Sequence, residues 1–168
     1  MTGAGPVTRE PAPDAVSRVR AALAAGGVEA AIVEFAESTR TAHDAARAVG
    51  TSPAQIVKSL VFVADGRPIL VLASGANRVD VAKLARLAGA ARVEKAAAEA
   101  TRAATGFSIG GVPPVGHRAA LPVYVDETLM AYDLVYAAAG TPLAVFPIAP
   151  ATLARITSGA VGDIAEHS

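Results

Sequence analysis

A Gly- and Pro-rich stretch from Thr105 to His117, with the sequence TGFSIGGVPPVGH, constrains the fold of this chain more than any other. Glycine has no Cβ, so the pair Gly110–Gly111 lets the backbone turn sharply or approach a ligand closely. Pro113 and Pro114 fix their φ angles and donate no hydrogen bond, so the stretch should be a stiff loop. The pattern fits a surface turn, and it equally fits a loop that presents backbone N–H and C=O groups to a ligand.

A second feature is one charged residue in an apolar strand. Residues 55–63 (QIVKSLVFV) are rich in β-branched residues and predict a strand. The alternation of a strand puts Lys58 on one face with Ile56, Leu60 and Phe62. An unpaired buried ammonium is costly, so Lys58 should reach a cavity, an anion or a carboxylate. The alternative is a strand-end lysine whose stem carries the charge out to water.

These two stretches together resemble the YbaK/EbsC family, which is related to the editing domain of bacterial prolyl-tRNA synthetases. The resemblance is carried by QIVKSLVF followed by GGVPPVGH, and it extends from about Thr39 to Asp163. It implies an α/β fold of the α+β type, in which a curved, partly closed mixed β-sheet is packed with helices. The interleaved helix and strand patterns also favour a mixed sheet.

The resemblance also implies an activity, the hydrolysis of the ester that joins a wrong amino acid to the terminal adenosine of tRNA. In that scheme Lys58 contacts the phosphate at the RNA end. The backbone of Gly110, Gly111 and Pro114 holds the aminoacyl carbonyl and the attacking water, and a ribose hydroxyl assists. The remaining candidates for substrate contact are Phe107, Ser108, Val112, Gly116, His117, Ala138 and Gly140. For His117 a solvated position in the loop is the alternative.

One departure from the family bears on specificity. Members that remove cysteine carry polar residues around the glycine that matches Gly140, whereas this chain has AAGTPLAV there. The resemblance implies tRNA for proline that carries a small amino acid such as alanine or cysteine, and the apolar residues near Ala138 and Val145 favour alanine. The expected partners are the acceptor end of aminoacyl-tRNA and, as a candidate, prolyl-tRNA synthetase, in the cytoplasm.

Composition excludes several other classes of site. Fifteen basic and fifteen acidic residues balance, which argues against a broad electrostatic grip on nucleic acid. The chain has no cysteine, and its three histidines are not at metal-ligand spacing, so neither a metal site nor a cofactor is predicted. The pair Asp126–Glu127 is more typical of a helix cap or a turn than of catalysis.

Two other functions remain open. Residues 106–110 (GFSIG) match the G-x-S-x-G pattern of a serine hydrolase, with Asp126 or Asp133 and His167 as later partners of Ser108. That pattern needs a strand before it and a helix after it, whereas a helix is predicted before it and two prolines follow it. The other alternative is a non-catalytic binder of tRNA 3′ ends or of a nucleotide-like ligand.

The chain is expected to form one domain over residues 14–168, after a disordered tail at 1–13 without a signal peptide. The uncharged run 134–154 is long enough to cross a membrane, but Gly and Pro interrupt it, so we predict two strands and a helix start. The predicted helices are 14–25, 41–50, 77–89, 94–104 and 150–157. The predicted strands are 31–36, 55–63, 68–73, 121–125, 132–138 and 143–148, with a hairpin turn at 64–67.

Overall fold

A computed structural model describes residues 14–39 and 41–166. These residues form five α-helices and eight β-strands. The helices are α1 (Ala15–Ala25), α2 (Ala42–Val49), α3 (Val81–Ala88), α4 (Ala98–Thr105) and α5 (Pro150–Thr157). The strands are β1 (Val33–Glu34), β2 (Ile56–Ala64), β3 (Arg67–Ser74), β4 (Val93–Lys95), β5 (Val123–Asp126), β6 (Val135–Ala138), β7 (Ala144–Ile148) and β8 (Ala160–Gly162). Asp14, Thr41 and Asp80 cap the first three helices, where each side chain accepts a hydrogen bond from a backbone N–H.

All eight strands belong to one mixed sheet in the order β1-β7-β6-β2-β3-β5-β8, and β4 pairs with β2. The hairpin β2–β3 is antiparallel, as is the pair β6–β7. The pairs β2–β6, β3–β5 and β5–β8 are parallel. The predicted α/β class with a mixed sheet is therefore confirmed.

The alternation predicted for β2 matches the packing of its two faces. Val57 and Val61 belong to a large apolar cluster that includes Leu23 of α1 and Leu153 of α5. Phe62 belongs to a second cluster, with Leu84 of α3. The strand is thus covered on both faces, which explains its nearly continuous apolar sequence.

A gap in the pairing of β2 determines where a ligand can enter. On one edge β2 pairs with β3 along its whole length, from Val57 to Ala64. On the other edge β6 pairs only with Ile56 and Val57, and β4 pairs only from Phe62 onward. Among the described residues, no strand therefore pairs with residues 58–60 on this second edge.

Several predicted elements need correction. The helix predicted at 77–89 spans only Val81–Ala88, with Asp80 as its N-cap, and the strand predicted at 31–36 is reduced to Val33–Glu34. The helix predicted at 94–104 begins only at Ala98, because Val93–Lys95 pair with β2 as a strand, and this tertiary pairing outweighs the helix preference of an Ala-rich stretch. Strand β8 was not predicted, since three residues are too few to show an alternation. The tight hairpin is confirmed: Asp65 and Gly66 both have left-handed φ angles, of 48° and 84°.

The uncharged run 134–154 contains β6, β7 and the start of α5, as predicted. No helix in residues 14–39 and 41–166 combines the length and the apolar character that crossing a membrane requires. The predicted tail at 1–13 lies outside the described residues, and so does His167.

Candidate active site

A cleft of about 380 Å³ opens at the gap beside β2. Its walls come from α2, β2, the Gly/Pro loop, β6 and β7. Four of the predicted site residues line it together: Lys58, Gly110, Val112 and Ala138. The strand lysine and the glycine loop therefore meet at one place, although about 50 residues of sequence separate them.

Lys58 reaches the cleft with part of its hydrogen-bonding capacity unused. Its Nζ donates to the backbone carbonyl of Asn77, with 2.6 Å between the two atoms. Burial, together with the nearby charges of Lys95 and Arg78, lowers the pKa of Lys58, and Asp126 acts in the opposite direction. An ammonium carries three N–H donors, so two remain for an anion that enters the cleft.

Asp126 does not form an ion pair with Lys58 within the part of the chain that the structure describes. Its carboxylate instead accepts hydrogen bonds from Ser74 N–H, Asn77 Nδ2 and Thr128 N–H, at 3.1, 2.9 and 3.0 Å. Asp126 caps the short 3-10 helix Glu127–Ala131. The predicted cap role of Asp126 is confirmed.

The loop contributes Gly110 and Val112 to the wall of the cleft. Gly110 has a φ of 97°, a conformation that favours glycine strongly over residues with a Cβ. Gly111 N–H donates to Ser108 O at 3.0 Å and closes a turn. The N–H groups of Gly110 and Val112 have no partner among the described residues, and both residues line the cleft.

His117 contacts the backbone of the loop and the buried ring of Phe107. Its Nε2 lies 2.7 Å from Pro113 O and must donate, because a carbonyl oxygen only accepts. Its ring meets the edge of the Phe107 ring at 6.2 Å, and the guanidinium of Arg18 lies 4.7 Å above Phe107. The contacts with Phe107 and the loop backbone leave His117 only partly exposed, so it is not the fully solvated loop histidine of the alternative prediction.

The other predicted site residues lie outside the cleft wall. Phe107 is buried beneath the loop, with 3% of its surface exposed. Gly116 lies against α1, and Gly140 lies so close to Ala15 that an added Cβ would come within 2.9 Å of its carbonyl oxygen. Pro114 is buried and lies three residues before His117 in the loop. These residues pack beneath or beside the loop and do not line the cleft.

Ser108 is exposed, and its Oγ accepts a hydrogen bond from Arg102 Nη2 at 3.0 Å. Helix α4 ends at Thr105, shortly before it, and no helix begins in the residues that follow until Glu127. The strand-turn-helix arrangement of a nucleophile elbow is therefore not formed around Ser108.

Several residues that line the cleft carried no recognisable signal in the sequence. They are Thr39, Thr41, Ser59, Gly75, Ile109 and Tyr136. Ser59 directly follows Lys58, so its place beside the site could have been inferred from the strand. Ile109 directly precedes Gly110, so its place could have been inferred from the loop in the same way. The other four lie outside both stretches and are brought to the cleft by the tertiary structure. Among the described residues, no group of three His, Asp or Glu side chains lies close enough together to hold a metal ion.

The position of His117 predicts a pH dependence of stability. Burial lowers the pKa of His117 below its usual value of 6.5, and the hydrogen bond to Pro113 offsets part of this effect. The unfolded chain therefore takes up the proton more readily than the folded one. The contribution of neutral His117 to the stability of the folded protein is fully present above the pKa that His117 has in the unfolded chain. It is lost as the pH falls through the lower pKa that His117 has in the folded protein.

We expect His117→Gln, which keeps a donor but does not titrate, to show a flatter stability profile between pH 7 and pH 5. Urea unfolding midpoints of both proteins across this range measure the difference. Parallel profiles would show that His117 does not contribute to the acid sensitivity.

Comparison with known proteins agrees with this geometry. The model of the aminoacyl-tRNA editing domain matches residues 36–156. A protein of Enterococcus faecalis, named provisionally as the Cys-tRNA(Pro)/Cys-tRNA(Cys) deacylase EbsC, is 29% identical over 134 residues, which cover 78% of this chain and 82% of EbsC. A crystal structure described provisionally as a trans-editing enzyme for prolyl-tRNA synthetase superposes with a TM-score of 0.87 at 46% identity, and covers 94% of this chain and 100% of that one.

The proline–tRNA ligase of Nitratidesulfovibrio vulgaris is 36% identical over 89 residues, which are 53% of this chain but only 16% of the ligase. The similarity to the ligase is thus confined to a small part of that protein. The editing-domain match, in contrast, contains every residue that borders the cleft. This chain belongs to the aminoacyl-tRNA editing domain family.

Proposed function

We propose that this chain is a trans-acting aminoacyl-tRNA deacylase that hydrolyses the ester of mischarged tRNA. The observation that carries the proposal is the meeting of Lys58 and the Gly110 loop at one cleft. The names of EbsC and of the similar crystal structure support tRNA for proline as the carrier. The amino acid removed is small, such as alanine or cysteine.

Lys58 binds the phosphate at the 3′ end of the RNA. Its two unused N–H donors suit an anion, and a compact ammonium binds phosphate as a point charge. Burial and, to a smaller extent, the nearby cations Lys95 and Arg78 lower the pKa of Lys58, and a bound phosphate would offset the repulsion among these charges. The phosphate end of the substrate therefore lies on the Lys58 face of β2.

The loop acts on the reacting carbonyl. Water attacks the acyl carbon, the bond between that carbon and the ribose oxygen breaks, and the ribose oxygen leaves with a proton. Negative charge develops on the carbonyl oxygen, where the free N–H groups of Gly110 and Val112 can donate. No carboxylate, imidazole or thiol lies among the described residues that line the cleft, so a ribose hydroxyl of the substrate assists the water.

The partners follow from this chemistry. The acceptor end of aminoacyl-tRNA is the substrate, and prolyl-tRNA synthetase is the candidate protein partner because it produces the charged tRNA. The reaction belongs to the cytoplasm, where tRNA is charged.

The apolar wall of the cleft predicts which amino acids are removed. Ala138 and Val145 line it and offer no charge to a polar side chain. An apolar pocket separates neighbours that differ by one methylene only about 10–200-fold. On a panel of tRNAs for proline charged with alanine, cysteine, serine or aspartate, alanine should be removed faster than aspartate. Faster removal of aspartate would contradict this view of the pocket, and tRNA binding without any deacylation would favour the non-catalytic binder.

Ser108→Ala tests the serine esterase. Because Ser108 lies on the exposed side of the loop and its hydroxyl contacts only Arg102 among the described residues, the variant should keep most of the deacylation rate. The rate is measured on alanyl-tRNA for proline, with the wild-type protein as reference. Complete inactivation would restore Ser108 as a nucleophile.

A further inference from the structure

Ser59 has a buried hydroxyl with no hydrogen-bond partner. Its Oγ is withdrawn from solvent, and no described residue donates to it or accepts from it. Leaving a buried polar group unsatisfied is costly, so such a group calls for an explanation. Ser59 lines the cleft, next to Lys58 in the sequence.

The backbone of Ser59 is also unpaired on the side of the gap. Gly75 N–H donates to Ile56 O, so Ile56 is one of the residues of β2 that bond to β3. In an antiparallel pair every second residue does so. Residues 56, 58 and 60 therefore direct their backbone groups to β3, and Ser59 directs its own to the opposite edge. There the pairing with β6 ends at Val57 and the pairing with β4 begins at Phe62. Among the described residues, neither Ser59 N–H nor Ser59 C=O has a partner.

The missing partner has to come through the cleft. Val57 and Val61, on the same face as Ser59, are part of the apolar core. The neighbouring hydroxyls are in use, since Thr39 Oγ1 donates to Pro142 O and Thr41 Oγ1 accepts from Asp44 N–H. The two backbone groups of Ser59 thus lie at the unpaired edge beside the cleft, and its unsatisfied hydroxyl is buried next to them.

We infer that Ser59 binds the α-aminoacyl group of the substrate, in the way that a residue of a neighbouring strand would pair with it. Its N–H donates to the acyl carbonyl oxygen, and its C=O accepts from the α-amino group. Its Oγ, which is buried in the free protein, rotates about the Cα–Cβ bond toward the cleft and accepts from the same amino group. A carbonyl oxygen has two lone pairs, so it can accept one further hydrogen bond from the loop, and the oxyanion that forms when water attacks has a third lone pair for the second loop donor. This inference rests on the proposed function, and it assigns the amino-acid end of the substrate to the gap in β2.

This arrangement divides recognition between two adjacent residues. Lys58 contacts the phosphate on one face of β2, and Ser59 contacts groups that every amino acid shares. Edge pairing of this kind uses main-chain hydrogen bonds for affinity and leaves side-chain selection to nearby pockets. Selection would then depend on Ala138 and Val145.

Two stable ligands test the contact. Both are adenosine 5′-phosphates that carry an acyl group through an amide in place of the ester of the substrate. In one ligand the acyl group is alanyl. In the other it is propanoyl, which has the same carbon skeleton without the amino group. Wild-type protein should bind the alanyl ligand more tightly. Ser59→Ala should raise the Kd of the alanyl ligand about 10-fold, as expected for the loss of a hydrogen bond to a charged group. The Kd of the propanoyl ligand should stay within about 2-fold of the wild-type value. Ser52→Ala, an exposed serine that lies outside the cleft, should change neither.

Ser59→Ala should also unfold at a temperature no lower than that of the wild type, because it removes an unsatisfied hydroxyl. Equal weakening of both ligands, or no weakening of either, would overturn the assignment of Ser59 alone. A marked drop in the unfolding temperature would do the same, since the hydroxyl would then be structural. Failure of the wild-type protein to bind either ligand would overturn the proposed function as well.

Discussion

Replacing Lys58 with alanine should lower kcat/KM for deacylation about 10–150-fold and leave the protein well folded. The expected loss is that of a charge-assisted hydrogen bond to phosphate, about 1.5–3 kcal/mol. Lys58→Arg should restore only part of the activity, because a planar guanidinium does not replace a compact ammonium at a fitted site.

The stability of the Lys58 variant should change little. Removing one member of a buried ion pair costs about 3–5 kcal/mol, because the other charge is stranded. Here Lys58 donates to a carbonyl, and Asp126 already has three other donors. Lys83→Ala is the matched control: Lys83 forms an ion pair with Asp163 at 3.0 Å and lies outside the cleft. A large loss of stability in Lys58→Ala with normal deacylation per folded molecule would make Lys58 a structural residue.

Gly111→Ala should reduce deacylation about 100-fold by displacing the loop. An added Cβ would lie 2.7 Å from Thr141 Cα and 2.8 Å from Thr141 C, and backbone atoms cannot turn aside as a side chain can. The loop must therefore move, and a shift of about 1 Å in a catalytic group can cost that factor. Gly111 is a cleaner test than Gly110, whose left-handed φ strains any substitution.

The stability of Gly111→Ala should fall by about 1–3 kcal/mol, as is typical of overpacking. Gly66→Ala serves as control, since it strains a left-handed turn but meets no atom within 4 Å. It should lose stability and keep normal activity per folded molecule. If Gly111→Ala behaves in the same way, the position of the loop does not matter for the reaction.

Local pattern predicted the parts of this structure that depend on neighbouring residues. The alternation in β2 identified the face that carries Lys58, and the Asp65–Gly66 turn identified the hairpin. Both features are governed by backbone geometry over a few residues. The link between β2 and the Gly/Pro loop came from a family resemblance and not from periodicity.

Features that depend on distant contacts were missed. Val93–Lys95 form a strand only because β2 offers them an edge, and His117 is partly buried because the loop and Phe107 fold over it. The free edge at Ser59 is likewise invisible in the sequence, since it results from where β6 ends and where β4 begins. Pairing of this kind is set by tertiary structure, which outweighs local propensity.

On this account, the cleft beside β2 hydrolyses the aminoacyl ester of tRNA. The most direct test is the rate of deacylation of alanyl-tRNA for proline by equal amounts of folded wild-type, Lys58→Ala and Gly111→Ala protein, against the spontaneous rate in buffer. We predict that the wild type accelerates hydrolysis and that both variants lose most of the acceleration. A wild-type rate equal to that in buffer, or folded variants that retain the full wild-type rate, would contradict it.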